Sequence, residues 1–223
     1  MKYEDNIQGV AALQPDYLGF IFYEKSKRNF DGVIPELPDS IKKTGVFVNA
    51  SIDEVVSKIN QYNLQAVQLH GDESVAYIEK LKSKFQSSRE LFEKEVLNKK
   101  TLDSDRGDIS LEIIKVFGIK ESFNFDILKP YESVVDYFLF DTKGKERGGN
   151  GVAFDWKVLG KYNSTKPFFL SGGIGLEQIR EVKEIVNTDL PIYALDVNSK
   201  FEIEAGLKSE KKLEQFKKRI YDS

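Results

Sequence analysis

The stretch PFFLSGGIGLEQIREVKEIVNTDLPIYALDVNSK (residues 167–200) decides the fold class. An apolar run ends in two glycines, a helical pattern follows over 176–186, and a second apolar run ends in small polar residues. Glycines let a backbone approach a ligand closely, and a helix N-terminus offers unpaired N–H groups to an anion. One such turn is weak evidence, since any tight strand-to-helix connection can use glycine. Two adjacent turns after successive strands are more specific, because the loops after the last two strands hold phosphate in many (β/α)8 barrels. Gly172 and Gly173 in the first turn, with Asp196, Asn198 and Ser199 in the second, are therefore candidate phosphate and substrate contacts.

Upstream the same rhythm repeats. Apolar runs at 17–22, 44–49, 66–70, 112–118 and 136–141 precede the two just described. Most are continuous rather than alternating, as in parallel strands covered on both faces. Helical spacing appears early in 1–16 and over 51–62, 73–83, 154–162, 176–186 and 209–221, with weaker signals near 35–43 and 124–130. Ser51 with Glu54 reads as a capping box. Alternating strands and helices predict βα units and a parallel sheet. The expected fold is an α/β (β/α)8 TIM barrel, one domain over 1–223. Seven strands serve eight helices, so strand 1 is expected to be missing ahead of the first helix. The charged segment 84–108 breaks the rhythm and reads as a surface excursion, with a solvated helix near 89–100.

The composition excludes several classes. A net charge of -3 leaves no basic excess for nucleic acid. With no cysteine, disulfides and thiolate metal sites are ruled out for these residues, and a single histidine gives little scope for a histidine metal site. No metal and no cofactor is expected. No signal peptide or membrane span is visible, so the expectation is a cytoplasmic protein with a phosphorylated small-molecule substrate and no membrane partner.

Three further stretches carry chemistry. YFLFDTKGKERGGNG (137–151) puts Asp141 at the end of a buried strand, where a carboxyl can be tuned for acid work or can simply cap its own loop. Gly149, in the glycine cluster that follows, belongs to a cover over the site or to an ordinary turn. FYEKSKR (22–28) brings Arg28 to the same edge, where its guanidinium could grip a carboxylate or phosphate, or stay solvated. His70 ends AVQLH (66–70) in a structural or a binding role. Lys115, inside EIIKVFG (112–118), suggests either Schiff-base chemistry or, more simply, a lysine paired in the barrel interior.

Taken in order, DYLGFIFYEKSKR, GVFVN, AVQLHG, FLFDTKGKERGGNGVAFDW, FLSGGI and YALDVNSKFE, with GLK before the last helix, resemble the phosphoribosylanthranilate isomerase family of tryptophan biosynthesis. The resemblance covers nearly the whole chain outside 84–108. It implies a cofactor-free (β/α)8 barrel, monomeric or homodimeric. The implied reaction is an Amadori rearrangement of N-(5'-phosphoribosyl)anthranilate to an aminodeoxyribulose phosphate. By resemblance Asp141 is the general acid that opens the furanose, and Arg28 binds the anthranilate carboxylate. The turns at Gly172–Gly173 and Asn198–Ser199 hold the phosphate, and His70, Gly149 and Asp196 line the substrate site.

Two departures follow. Lys200 stands where the family has glycine after serine, a costly exchange if that position is left-handed. The family's general base is a cysteine in a Cys-Gly pair ending strand 1, and Met1 falls directly after that position. Either the start of the sequence is misplaced or the shortened chain has lost the chemistry, and as written it is expected to be inactive. The alternatives are a catalytically dead phosphate-ligand-binding barrel or another phosphate-binding TIM-barrel enzyme. An epimerase relative would need more histidines than His70, and a tryptophan synthase α relative would lack the 138–151 arrangement.

Overall fold

The seven apolar runs form seven parallel strands: β1 (Tyr17–Phe22), β2 (Lys42–Phe47), β3 (Ala66–Leu69), β4 (Glu112–Ile119), β5 (Tyr137–Thr142), β6 (Phe168–Leu170) and β7 (Ile192–Leu195). The structure, a computed structural model, describes residues 1–98, 110–142 and 155–221. Strand order in the sheet follows chain order, with every neighbouring pair parallel. Consecutive residues Phe138, Leu139 and Phe140 are 0%, 1% and 0% exposed, so β5 is covered on both faces, as its unbroken apolar run requires.

The helices are α1 (Glu4–Ala11), α2 (Ile52–Tyr62), α3 (Val75–Asn98), α4 (Ile179–Val186) and α5 (Glu210–Tyr221). The Ser51 half of the expected capping box is formed: its hydroxyl accepts the Glu54 N–H at 3.2 Å. Shorter 3₁₀ turns occupy Phe125–Tyr131, Trp156–Lys161, Leu176–Gln178 and Ser199–Phe201. The expected helix near 35–43 is absent. Pro35 and Pro38 withhold their N–H groups and push the residues before them toward extended backbone, and β2 begins at Lys42. The helix expected at 73–83 and the one expected near 89–100 are a single helix to Asn98, so the charged segment starts as a continuation of α3. A short antiparallel hairpin, β8 (Glu202–Glu204) with β9 (Leu207–Lys208), was not anticipated.

β1 and β7 are the sheet edges and have no ladder between them. The sheet nevertheless curls until they meet. The Tyr17 and Tyr193 rings, from the first and last strands, have centroids 6.4 Å apart. Asn6 of α1 closes the seam through a reciprocal pair, donating to the Lys208 carbonyl at 2.9 Å and accepting the Lys208 N–H at 2.8 Å. Lys217 of α5 donates to the Leu13 carbonyl at 2.5 Å. The result is a (β/α)8-type barrel of seven strands.

Two apolar layers fix which way each strand residue points. Ala66, Ile114, Val116, Leu139 and Phe169 form the barrel interior, with Tyr17, Tyr137 and Ala194 against them. Phe20, Val67, Leu69, Ile113, Phe138, Phe140, Phe168 and Leu170 belong to the larger core under the helices. The strand period of two therefore assigns the mouth directly. Counting by twos from Ala66 reaches Gln68 and His70, from Leu139 reaches Asp141, from Phe169 reaches Ser171, and from Ala194 reaches Asp196.

Candidate active site

These residues meet at the C-terminal ends of the strands, the functional face of such barrels. The Asp141 carboxyl faces His70, with Oδ2 3.6 Å from Nε2 and both side chains mostly buried. Its other oxygen accepts the Thr142 N–H at 2.7 Å. Gln68 Nε2 lies 3.1 Å from His70 Nδ1. The Gln68 amide donates there, so the neutral ring carries its proton on Nε2, toward Asp141. His70 is thus a mouth residue rather than a core one.

Asp196 completes the acidic side of the mouth. Its Oδ2 accepts the Ser171 hydroxyl at 2.8 Å, and its N–H donates to the Leu170 carbonyl at 2.8 Å. Burial pushes the Asp196 carboxyl above the ordinary aspartate range, and the negative charge of Asp141 adds to the rise. The Ser171 hydrogen bond and the positive Lys208 oppose it.

Gly172 and Gly173 both have positive φ, 87° and 68°, a conformation glycine adopts without strain. A side chain at Gly172 would also collide: a Cβ there would lie 2.4 Å from Thr142 Oγ1 and 2.7 Å from Thr142 N. The glycine lets the turn after β6 pack directly on the Asp141–Thr142 peptide. Asn198 and Ser199 open the 3₁₀ turn after β7, beside it. Lys200 ties the two turns together through Glu177, Nζ to Oε1 3.1 Å. Lys200 is not among the residues with positive φ, so replacing the family's glycine carries no left-handed strain here. Gly149 lies outside the described residues.

Arg28 does not stand free at the rim. Its Nε donates to both Glu202 oxygens at 2.9 Å, and Nη2 reaches Oε2 at 2.6 Å. Glu202 also accepts from Lys208 Nζ and from the Gly206 N–H, each at 3.1 Å. Lys208 in turn donates to the Asn198 side chain. Burial alone would raise the Glu202 carboxyl, but the Arg28 bonds and the Lys208 charge outweigh it and hold the group down to about 2. Burial pushes Lys208 below the usual lysine value against the pull of Glu202. Sequence reasoning missed Glu202 and Lys208, although both sit in the quoted stretches ending SKFE and GLK.

Lys115 is paired, as the simpler reading had it, but not in the barrel interior. Ile114 and Val116 point inward, which turns Lys115 toward α3, where its Nζ lies 3.1 Å from Glu73 Oε2.

The profile of the family described as N-(5'phosphoribosyl)anthranilate (PRA) isomerase matches residues 1–111 and 105–219. The chain belongs to that family. It is 38% identical over 227 residues to the N-(5'-phosphoribosyl)anthranilate isomerase of Parabacteroides distasonis, covering 99% of this chain and 90% of that one. The crystal structure of phosphoribosyl anthranilate isomerase from Thermotoga maritima is similar, with a TM-score of 0.74 at 26% identity, covering 99% of this chain and 95% of that one. A phosphoribosyl anthranilate isomerase solved with reduced 1-(o-carboxyphenylamino)-1-deoxyribulose 5-phosphate shares the fold: TM-score 0.69, 24% identity, 98% and 93% covered. The family is one of enzymes, intramolecular isomerases of the aldose–ketose type. No helix among the described residues is long and apolar enough to cross a membrane.

Proposed function

We propose that this mouth isomerises N-(5'-phosphoribosyl)anthranilate, with Asp141 as the general acid. Its carboxyl gives a proton to the furanose ring oxygen as the C1'–O bond breaks, leaving a Schiff base. Removal of the C2' proton then yields the enolamine, which becomes the aminodeoxyribulose phosphate. The observation that supports this reading is the convergence of Asp141, His70 and Asp196, carried on three separate strands, within one mouth.

The remaining roles are those the family resemblance implies. The turns at Gly172–Gly173 and Asn198–Ser199 hold the phosphate through backbone N–H groups. Glu202 occupies the Nε–Nη2 edge of Arg28, and the edge at Nη1 receives the anthranilate carboxylate. His70, with its proton on Nε2, faces Asp141 at 3.6 Å and donates to the sugar. The family's basic cysteine has no counterpart among the 223 residues. The test is Asp141→Asn in a form of the protein that carries a basic cysteine. Turnover should fall by about 10²-fold or more, the usual contribution of a positioned acid, with affinity for the reduced product analogue nearly unchanged. Retention of more than about a tenth of kcat would remove Asp141 from that role.

A further inference from the structure

Behind His70, on the side of β3 and β4 that faces α3, lies a buried ion pair that the reaction does not use. The Lys115 and Glu73 side chains are 3% and 1% exposed. Besides Glu73, the Lys115 ammonium donates to the carbonyls of Leu69 at 3.2 Å, Gly71 at 2.9 Å and Val116 at 3.3 Å. The Glu73 carboxylate accepts the Gly71 N–H through both oxygens, at 2.9 and 3.1 Å, and the Asn49 N–H at 2.8 Å. Leu69 and Gly71 are the residues on either side of His70, whose own N–H is held by the Phe47 carbonyl at 2.8 Å. The backbone through His70 is therefore gripped before it, at it and after it.

Stability alone does not explain the pair, because burying two charges costs about as much as their attraction returns. Nor is Lys115 placed for Schiff-base chemistry, since its Nζ is turned away from the mouth and engaged by four acceptors. We propose that Lys115 and Glu73 are positioning residues: together they lock the 69–71 backbone so that the His70 imidazole is aimed at Asp141. The proposal rests on His70 belonging to the substrate site. Gly71 fits the same scheme. A Cβ there would lie 2.2 Å from Asn49 Oδ1 and 2.6 Å from Asn49 N, so only glycine lets the β2 and β3 loops close on the carboxylate.

The chain has a single histidine, so its imidazole nitrogens give unambiguous signals in long-range ¹H–¹⁵N spectra. The parent should show one ordered ring in the Nε2–H tautomer. Lys115→Met/Glu73→Gln removes both charges together and leaves no unpaired ion buried. In that folded variant the His70 signals should broaden or shift toward mixed tautomers. Affinity for reduced 1-(o-carboxyphenylamino)-1-deoxyribulose 5-phosphate should fall about ten-fold or more. Adding His70→Asn should cost little further, because both changes act through one ring. Unchanged His70 signals, or additive losses, would overturn the proposal. If His70→Asn alone leaves the analogue's affinity intact, the placement of His70 in the substrate site fails, and the spectra still decide the clamp. If the double variant does not fold, Gly71→Ala perturbs the clamp with both charges kept. Unchanged imidazole signals there overturn the proposal equally.

Discussion

Gly172→Ala is the sharpest single probe of how the mouth is built. The change adds one methyl, yet the position combines a φ of 87° with a Cβ 2.4 Å from Thr142 Oγ1, 2.7 Å from Thr142 N and 3.2 Å from Asp141 Oδ1. The left-handed backbone alone costs about 1–2 kcal/mol for a residue with a Cβ. The Thr142 hydroxyl can rotate away, but the Thr142 nitrogen is backbone within β5 and cannot, so about 1–3 kcal/mol of overpacking is added. The sum, about 2–5 kcal/mol, corresponds to a fall in Tm of roughly 4–20 °C for a chain of this size. Because Thr142 N also holds Asp141 Oδ1 at 2.7 Å, relief of the clash moves the proposed acid. Gly160→Ala is the control, since a Cβ there meets nothing within 4 Å. Calorimetric melting measures the stability, and titration with the reduced product analogue measures the site. A Gly172→Ala protein melting within about 2 °C of the parent, with unchanged affinity, would refute the close approach of the two turns.

Glu202→Gln tests the ion network by pH. The folded carboxyl sits at about 2 against an ordinary 4.5, so its stabilisation is complete above about 4.5 and disappears as pH falls toward about 2. The melting difference between parent and variant should be largest near neutrality and close within that window; parallel curves would sink the assignment. Arg28→Ala should raise KM more than Arg28→Lys, because lysine keeps a charge but not the fork that Glu202 orients. Equal KM values in both variants and the parent would return Arg28 to a purely structural role. The 223-residue chain, having no cysteine, should turn over at least about 10²-fold more slowly than a form extended by a strand ending in Cys-Gly. Replacing that cysteine with serine should abolish the gain, and equal activity of all three proteins would show that the base lies elsewhere.

What the sequence made legible was what a short window can hold. Continuous apolar runs marked the strands because burial on both faces leaves no room for alternation, and the glycine pair at 172–173 marked a turn because its backbone demands it. No helix forms near 35–43, because Pro35 and Pro38 interrupt its apolar spacing. The short helices expected near 124–130 and 154–162 are 3₁₀ turns at Phe125–Tyr131 and Trp156–Lys161, where Pro130 and Gly160 disfavour a regular α-helix. Long-range pairings were illegible. Arg28 and Glu202 are 174 residues apart, and Lys115 and Glu73 are 42 apart, so no local pattern announces either bond. Lys115 shows the limit well: its burial was readable from its neighbours, but which side of the sheet it faced depended on register.

A closed hoop and a split ring respond differently to stress, and this barrel is a split ring. Its seam, between β1 and β7, is fastened by Asn6, Lys217 and the Tyr17–Tyr193 contact instead of by a backbone ladder. When such a ring springs open, bending concentrates opposite the gap. The strand opposite the gap is β4, and the strands beside it are β3 and β5. These are the strands that carry His70 and Asp141. The imidazole and carboxyl, 3.6 Å apart, thus face each other at the ends of the strands flanking the one farthest from the seam.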